Sequence, residues 1–235
     1  MKLLVSDYDG TFDTTESSET YRNSIAVDKF RRKGNQFAFA TGRSFRSIKH
    51  QTNYYKISYD YLICNNGLAI FDKKDRLLKS TLISKEAILK TLAYLNKLGY
   101  VKKIVLLNVY GEETKNYNEV IEILFTLQIR NAKEAEKIKN ELSFLSSMSK
   151  FNSVLVSSET NKVEGIQFIS ERFNIPHQDI ITVGDEKNDI EMLLEYDGYK
   201  MLISSPLLYK QKLKTTTSVS ALIKRIGRFK WKQLV

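Results

Sequence analysis

A chain of 235 residues that is 42% hydrophobic and 27% charged is long and apolar enough to bury a core, either as one large domain or as a core with a smaller unit. Its one cysteine, Cys64, excludes an intrachain disulfide and agrees with a reducing compartment, and with only His50 and His177 beside it no His/Cys zinc set can form, so metal chemistry has to use oxygen ligands. The net charge of +10 reads as a solvated surface, no apolar run approaches the roughly 20 residues of a membrane span, and charge interrupts the N-terminal run too early for a signal peptide; a cytoplasmic protein with neither a nucleic-acid nor a membrane partner is expected.

Lys2 to Ser6 is a short apolar run ending in Asp7-Tyr8-Asp9, the pattern of a buried strand feeding a loop. Tyr21 to Lys33 carries Ile25, Ala26 and Phe30 at helical spacing, with Gly34 as the stop. Gln36 to Ala40 predicts a second strand that runs into Thr41-Gly42-Arg43. A helix over Ser44 to Thr52 follows, then a third strand over Tyr59 to Cys64 and the turn Asn65-Asn66-Gly67. Leu68 to Phe71 and Leu77 to Leu82 flank Asp72-Lys73-Lys74-Asp75 as a hairpin. The next stretch reads as a small α+β unit. It has an amphipathic helix over Ser84 to Leu98, strands over Lys103 to Val109, Val120 to Arg130 and Ser153 to Ser157, and a helix over Ala132 to Phe144 opened by an Asn131/Glu134 capping box. The strand–helix rhythm then returns with a helix over Val163 to Phe173 and a strand over Ile180 to Val183 ending in Gly184-Asp185. A helix over Asn188 to Glu195, a strand over Lys200 to Ile203 and a helix over Val219 to Ile226 complete it. The basic stretch beyond, with Phe229 and Trp231, reads as a surface helix with a frayed tail.

Alternating strands and helices imply an α/β fold, a mostly parallel sheet with helices on both faces. Such sheets bind ligands at the carboxyl ends of their strands. Asp7-Tyr8-Asp9, Thr41-Gly42-Arg43 and Gly184-Asp185 all fall at strand ends, so three segments distant in sequence should converge on one edge. Two carboxylates at i and i+2 can share a loop in which Gly10 permits the turn. One can attack phosphorus and the other can protonate a leaving oxygen and later activate water. Crowded anions call for a counter-cation, and a hard one such as Mg²⁺ suits oxygen ligands. The same cluster also suits a Ca²⁺ loop or an ordinary acidic turn, although Phe12 and Thr15 do not fit the ligand pattern of an EF-hand.

Taken together and in order, the motifs resemble those of the haloacid dehalogenase superfamily, over nearly the whole chain. Asp7-Tyr8-Asp9-Gly10-Thr11 matches its DxDGT, Thr41-Gly42-Arg43 its second motif and Lys162 its lysine near a helix start. Gly184-Asp185-Glu186-Lys187-Asn188-Asp189 matches GDxxND in full. The resemblance implies a Rossmann-like core and a set of roles. Asp7 is the nucleophile and an Mg²⁺ ligand, Asp9 the general acid/base with its carbonyl on the metal, and Asp185 the remaining ligand. The Tyr8 and Gly42 amides, Thr41, Lys162 and Asn188 surround the phosphate, Asp189 orients Lys162 or Asp185, and Arg43 supports the site. An acid at Asp9 goes with the phosphatases and phosphomutases of the superfamily. Two departures stand out: Val163 follows Lys162 where relatives often have Gly, which leaves Lys150 as an alternative, and Ser204-Ser205-Pro206 replaces a Gly-Asn pair. The long interval between the second and third motifs resembles the type IIB, Cof-like subfamily, whose mobile cap covers the site. The expected division is a core of 1–81 and 159–235 and a cap of 82–158. The expected function is Mg²⁺-dependent hydrolysis of small phosphorylated metabolites, sugar phosphates foremost, through an aspartyl phosphate, in a monomer or homodimer. A phosphotransferase or phosphomutase is the alternative, and a non-enzymatic nucleic-acid- or membrane-binding protein the third reading.

Overall fold

The computed structural model describes residues 1–14, 16–128, 137–138, 140–142, 146–150 and 153–229. Its strands are β1 (Leu3–Ser6), β2 (Gln36–Ala40), β3 (Tyr61–Cys64), β4 (Ala69–Asp72), β5 (Leu77–Ser80), β6 (Val101–Leu107), β7 (Glu122–Leu127), β8 (Ser146–Lys150), β9 (Ser153–Ser157), β10 (Ile180–Gly184), β11 (Asp197–Met201) and β12 (Lys214–Thr216). The helices are α1 (Ser17–Arg32), α2 (Phe45–Tyr54), α3 (Lys85–Leu95), α4 (Lys162–Arg172), α5 (Ile190–Glu195), α6 (Pro206–Tyr209) and α7 (Val219–Phe229).

Eight strands form one sheet in the order β12-β11-β10-β1-β2-β3-β4-β5. It is parallel from β12 to β3 and antiparallel through the β4/β5 hairpin. The near-continuous apolar runs follow from burial on both faces, because successive side chains alternate across a strand. Leu3 and Val5 join Ala38, Ala40 and Ile63 against Ile166 and Ile169 of α4 and Met192 and Leu193 of α5. Leu4 joins Phe37, Phe39 and Leu62 on the other face, against Val27 and Phe30 of α1, Ile48 of α2 and Val219 and Leu222 of α7. The doubly covered parallel sheet expected from the sequence is therefore present.

Residues between β5 and α4 build a second, antiparallel sheet in the order β6-β7-β9-β8. Its helix α3 starts at Ser84, whose hydroxyl accepts the Ala87 N–H at 3.2 Å. Ile88 and Leu95 of α3 pack on Ile123, Phe125, Val154 and Val156, a core of their own. Alternation turns Glu122 of β7 and Leu155 of β9 to the opposite face.

The differences from expectation are local. Strand β6 begins two residues earlier than Lys103, at Val101, and the helix expected from Asn188 splits into a 3-10 turn (Lys187–Asp189) and α5. Strands β8 and β12 and helix α6 were not expected: Ser-Ser-Met-Ser-Lys and Lys-Thr-Thr carry no apolar period, and α6 is four residues long. Most of the helix expected over Ala132 to Phe144, with its Asn131/Glu134 cap, lies outside the described residues. Among the described residues no helix is long and apolar enough to cross a membrane.

Gly198 of β11 marks a tight approach, since a Cβ there would lie 1.9 Å from the Leu193 carbonyl oxygen of α5. Gly198→Ala should lower unfolding free energy by about 1–3 kcal/mol through overpacking. Gly99→Ala, with open space around its Cβ, should stay within about 0.5 kcal/mol of the parent. Urea-unfolding midpoints check both; equal midpoints for the two variants would contradict the packing described.

Candidate active site

The three polar clusters meet at the carboxyl ends of β1, β2 and β10. Asp7 follows β1 directly and its N–H donates to the Val183 carbonyl of the adjacent β10 at 2.9 Å. Lys162 opens α4, where the Asn161 side chain caps the helix by accepting the Glu164 N–H at 3.0 Å. Gly165 lets the helix lie close on β3, since a Cβ there would be 2.5 Å from Ile63 Cγ2. The glycine displaced from its usual place after the lysine thus has a packing role one turn on. Lys162, 1% exposed, donates to Asp7 Oδ1 at 2.5 Å and Asp189 Oδ1 at 2.7 Å. The alternative, Lys150, belongs to β8 of the second sheet.

Asp189 uses its other oxygen to accept the N–H groups of Asp185 and Glu186, each at 3.0 Å. Asp185 Oδ1 in turn accepts the Thr11 hydroxyl at 2.5 Å. Gly10 takes a positive φ of 78°, and a Cβ there would fall 2.2 Å from Asp185 Oδ2, so two separate constraints exclude a side chain at this position. Asp185 of GDxxND is thereby bound directly to DxDGT through Thr11, and Asp189 is linked to Asp7 through Lys162.

Carboxylate oxygens of Asp7, Asp185 and Asp189 lie within 4.8 Å of one another, all buried. Burial pushes the Asp7 carboxyl up, against the pull of Lys162, and the Asp189 and Asp185 charges help carry it to about 7. Burial likewise raises Asp185 to about 6, with the Thr11 hydrogen bond opposing and the Asp189 and Glu186 charges adding. Burial works against the charge of Lys162, yet Asp7 and Asp189 hold its pKa above the usual lysine value. Carboxylates crowded in this way, with hard oxygen donors and too little positive charge, fit a divalent cation such as Mg²⁺ at Asp7 and Asp185. Asp189 has both oxygens engaged already.

Asp9 stands apart from this trio. Its side chain is 58% exposed and is gripped at both oxygens by Arg43, at 2.8 Å from Nε and 2.6 Å from Nη2. The guanidinium also donates to Ser47 and lies 5.0 Å from the Tyr8 ring centre. The Tyr8 ring is core, edge-on to Phe39. Thr41 is buried, its N–H donating to the Ile63 carbonyl and its hydroxyl accepting the Arg43 N–H at 3.1 Å. Gly42 reaches the surface of the cleft. Asn188 is exposed and donates to Asn66 Oδ1 at 3.1 Å. Cys64 is core, and His50 and His177 are exposed. The Ser205 N–H donates to the Asp185 carbonyl at 2.8 Å, so the Ser-Ser-Pro departure still supports the loop that carries Asp185.

A cleft of about 1100 Å³ opens over these groups, with Asp7 and Lys162 at its base, the exposed Asp9 and its partner Arg43 nearer the mouth, and Leu107, Glu122 and Leu155 of the second sheet on its wall. Glu122 was missed as a site residue, and Asn65 was singled out only as part of the turn Asn65-Asn66-Gly67, which resembles a family turn near the site entrance but reads equally as a structural one. Glu122 gave one signal, a charge at the head of the apolar run Glu122–Leu127, and it is 4% exposed.

The family described as haloacid dehalogenase-like hydrolase matches residues 4–141 and 102–218, and the chain belongs to it. A Mycoplasma capricolum protein of uncharacterised function is 26% identical over 81% of this chain and 86% of its own length. The 5-amino-6-(5-phospho-D-ribitylamino)uracil phosphatase of Bacillus subtilis is 25% identical over 83% of this chain and 81% of its own. Among solved structures, the subclass IIB sugar phosphatase BT4131 superposes with a TM-score of 0.69 at 18% identity, covering 98% of this chain and 99% of that one, a likeness of fold.

Glu122 yields a stability prediction. Burial raises its carboxyl from 4.5 to about 7, with the Asn65 amide opposing. A carboxyl that binds its proton more tightly when folded costs nothing below the unfolded pKa and costs stability as pH rises through the folded one. Unfolding free energy should therefore carry a Glu122-dependent fall between pH 4.5 and about 7. At most this amounts to roughly 3 kcal/mol. Glu122→Gln should flatten the fall, measured by urea unfolding across that range; parallel pH profiles for parent and variant would contradict the burial of a titrating carboxyl.

Proposed function

We propose that this protein is an Mg²⁺-dependent phosphatase of small phosphorylated metabolites, sugar phosphates foremost, acting through an aspartyl phosphate on Asp7. The observation that carries this reading is the Asp7 carboxylate held on Lys162 at the base of a cleft, beside Asp185. The named activity of the B. subtilis relative, hydrolysis of a phosphorylated ribityl compound, supports the substrate class.

Lys162 fixes one Asp7 oxygen and leaves the other for in-line attack on phosphorus. The cation, held by Asp7, Asp185 and the Asp9 carbonyl, would offset charge on the phosphoryl group and hold Asp7 ionised. Lys162 adds positive charge to the same oxygens. Gly42 and Asn188 line the cleft where the remaining phosphate oxygens would sit, and in this reading the Tyr8 amide and Thr41, both fully buried, would complete the cradle. Asp9 sits at the mouth, where release from Arg43 would let it protonate the leaving oxygen and then activate water. Residues 82–158 serve in this reading as a cap whose sheet closes the cleft, and 1–81 with 159–235 as the core.

Two outcomes are expected. Rigorous chelation should abolish phosphate release from an aryl phosphate and added Mg²⁺ should restore it; full activity without metal would contradict the reading. Asp7→Asn should lose at least about a thousandfold in kcat, since an amide is neither nucleophile nor good ligand. Asp9→Asn should still be phosphorylated by an aryl phosphate, which needs little leaving-group protonation, and should then accumulate phosphoenzyme. Acid-quenched mass spectrometry of the peptide from Met1 to Arg22 detects the adduct. A phosphoryl group on another residue, or an active Asp7→Asn, would overturn the mechanism.

A further inference from the structure

We propose that Glu122 and Asn65 form a subsite that reads hydrogen-bond donors, hydroxyl or amino groups, on the leaving alcohol of the phosphate ester; this rests on the phosphatase reading above. Both residues line the cleft that holds Asp7 and Asp9, and they come from its two sides. Glu122 lies on β7, in register with Leu107 of β6 and Ser157 of β9, so strands on both sides fix its backbone. Its neighbours on the cleft wall, Leu107 and Leu155, are apolar.

Asn65 is fixed just as firmly. It has a positive φ of 53°, its N–H donates to the Arg43 carbonyl at 3.0 Å, and the next residue's N–H donates to the Thr41 carbonyl at 2.9 Å. The turn is therefore tied to the same segment that lines the phosphate end of the cleft.

The chemistry of the pair is acceptor-rich. Glu122 is 4% exposed and Asn65 3%. The Asn65 side chain is a hydrogen-bonding neighbour of the Glu122 carboxyl. Asn65 Oδ1 is buried and has no hydrogen-bond partner among the described residues. A buried carboxyl and a buried amide oxygen thus meet in the lining of the cleft, with the Asn65 side-chain amide donating to the carboxyl. Buried acceptors left unpaired are costly, and a ligand that supplies donors relieves them. A leaving group with hydroxyl or amino N–H groups does so, whereas an alkyl chain leaves the Asn65 oxygen unpaired and the Glu122 carboxyl with the Asn65 amide alone. A second phosphate or a carboxylate would meet the Glu122 charge. Sites built on such groups discriminate strongly against analogues lacking the donor.

The test uses a length-matched pair, hexyl phosphate and a hexitol phosphate, with an aryl phosphate as reference. The parent enzyme should favour the hexitol ester in kcat/KM. Glu122→Met, of similar length and without an acceptor, should lower the hexitol-to-hexyl ratio at least tenfold, mainly through KM. Glu122→Gln keeps one acceptor oxygen and should fall between; it also preserves shape should the Met variant fold poorly. A purely structural role would weaken all three esters alike and leave the ratio unmoved, which overturns the proposal, as does a parent enzyme with no preference. Failure of the parent to release phosphate from any of the three would instead sink the phosphatase reading itself.

Discussion

The ammonium of Lys162, 1% exposed and within 2.5 and 2.7 Å of Asp7 and Asp189, is the interaction on which the site depends. Burying such a charge costs several kcal/mol unless opposite charges and hydrogen bonds surround it. Here the compensation comes from two loops far apart in sequence, after β1 and after β10. Asp189 extends the chain of contacts to the amides of Asp185 and Glu186, and Asp185 returns it to Thr11 beside Asp7. The ring of contacts closes on itself, so each motif holds another in place. The glycines follow from this closeness: Gly10 has no room for a Cβ beside Asp185, nor Gly184 beside Asp189, nor Gly165 beside Ile63.

The same arrangement explains why the site suits a cation. Three carboxylates against one ammonium leave a formal charge of −2 in a buried volume. The raised pKa values of Asp7 and Asp185 are the protein-only expression of that imbalance, and a divalent ion relieves it with opposite sign. Asp9 escapes the crowding because Arg43 draws it to the mouth of the cleft. Two aspartates spaced i and i+2 thus receive different environments, Asp7 buried on Lys162 and Asp9 exposed on Arg43.

Much of this was legible in the sequence because parallel strands declare themselves as apolar runs and their carboxyl ends as polar clusters. Asp7, Thr41 and Asp185 sit at such ends, and the order of motifs then located Lys162. What the sequence could not show were pairings across long intervals. Glu122 sits in a strand whose alternation reads as ordinary amphipathicity, and only docking of that strand against Asn65 makes its carboxyl a cleft group. Arg43 was placed by its motif, but its grip on Asp9 depends on how two loops approach. Strands β8 and β12 form because neighbouring strands supply the ladder, not because Ser146–Lys150 or Lys214–Thr216 favour extended structure by themselves.

The central claim is that Asp7, and no other carboxylate, accepts the phosphoryl group. A crystal structure of the protein grown with Mg²⁺ and beryllium fluoride, whose tetrahedral fluoride complex mimics a phosphoryl group on a carboxylate, tests it most directly. The expected result is a beryllium adduct on the Asp7 oxygen turned away from Lys162, with a cation between Asp7 and Asp185. An adduct on Asp9 or Asp185, or a cation site elsewhere with Asp7 unmodified, would contradict it.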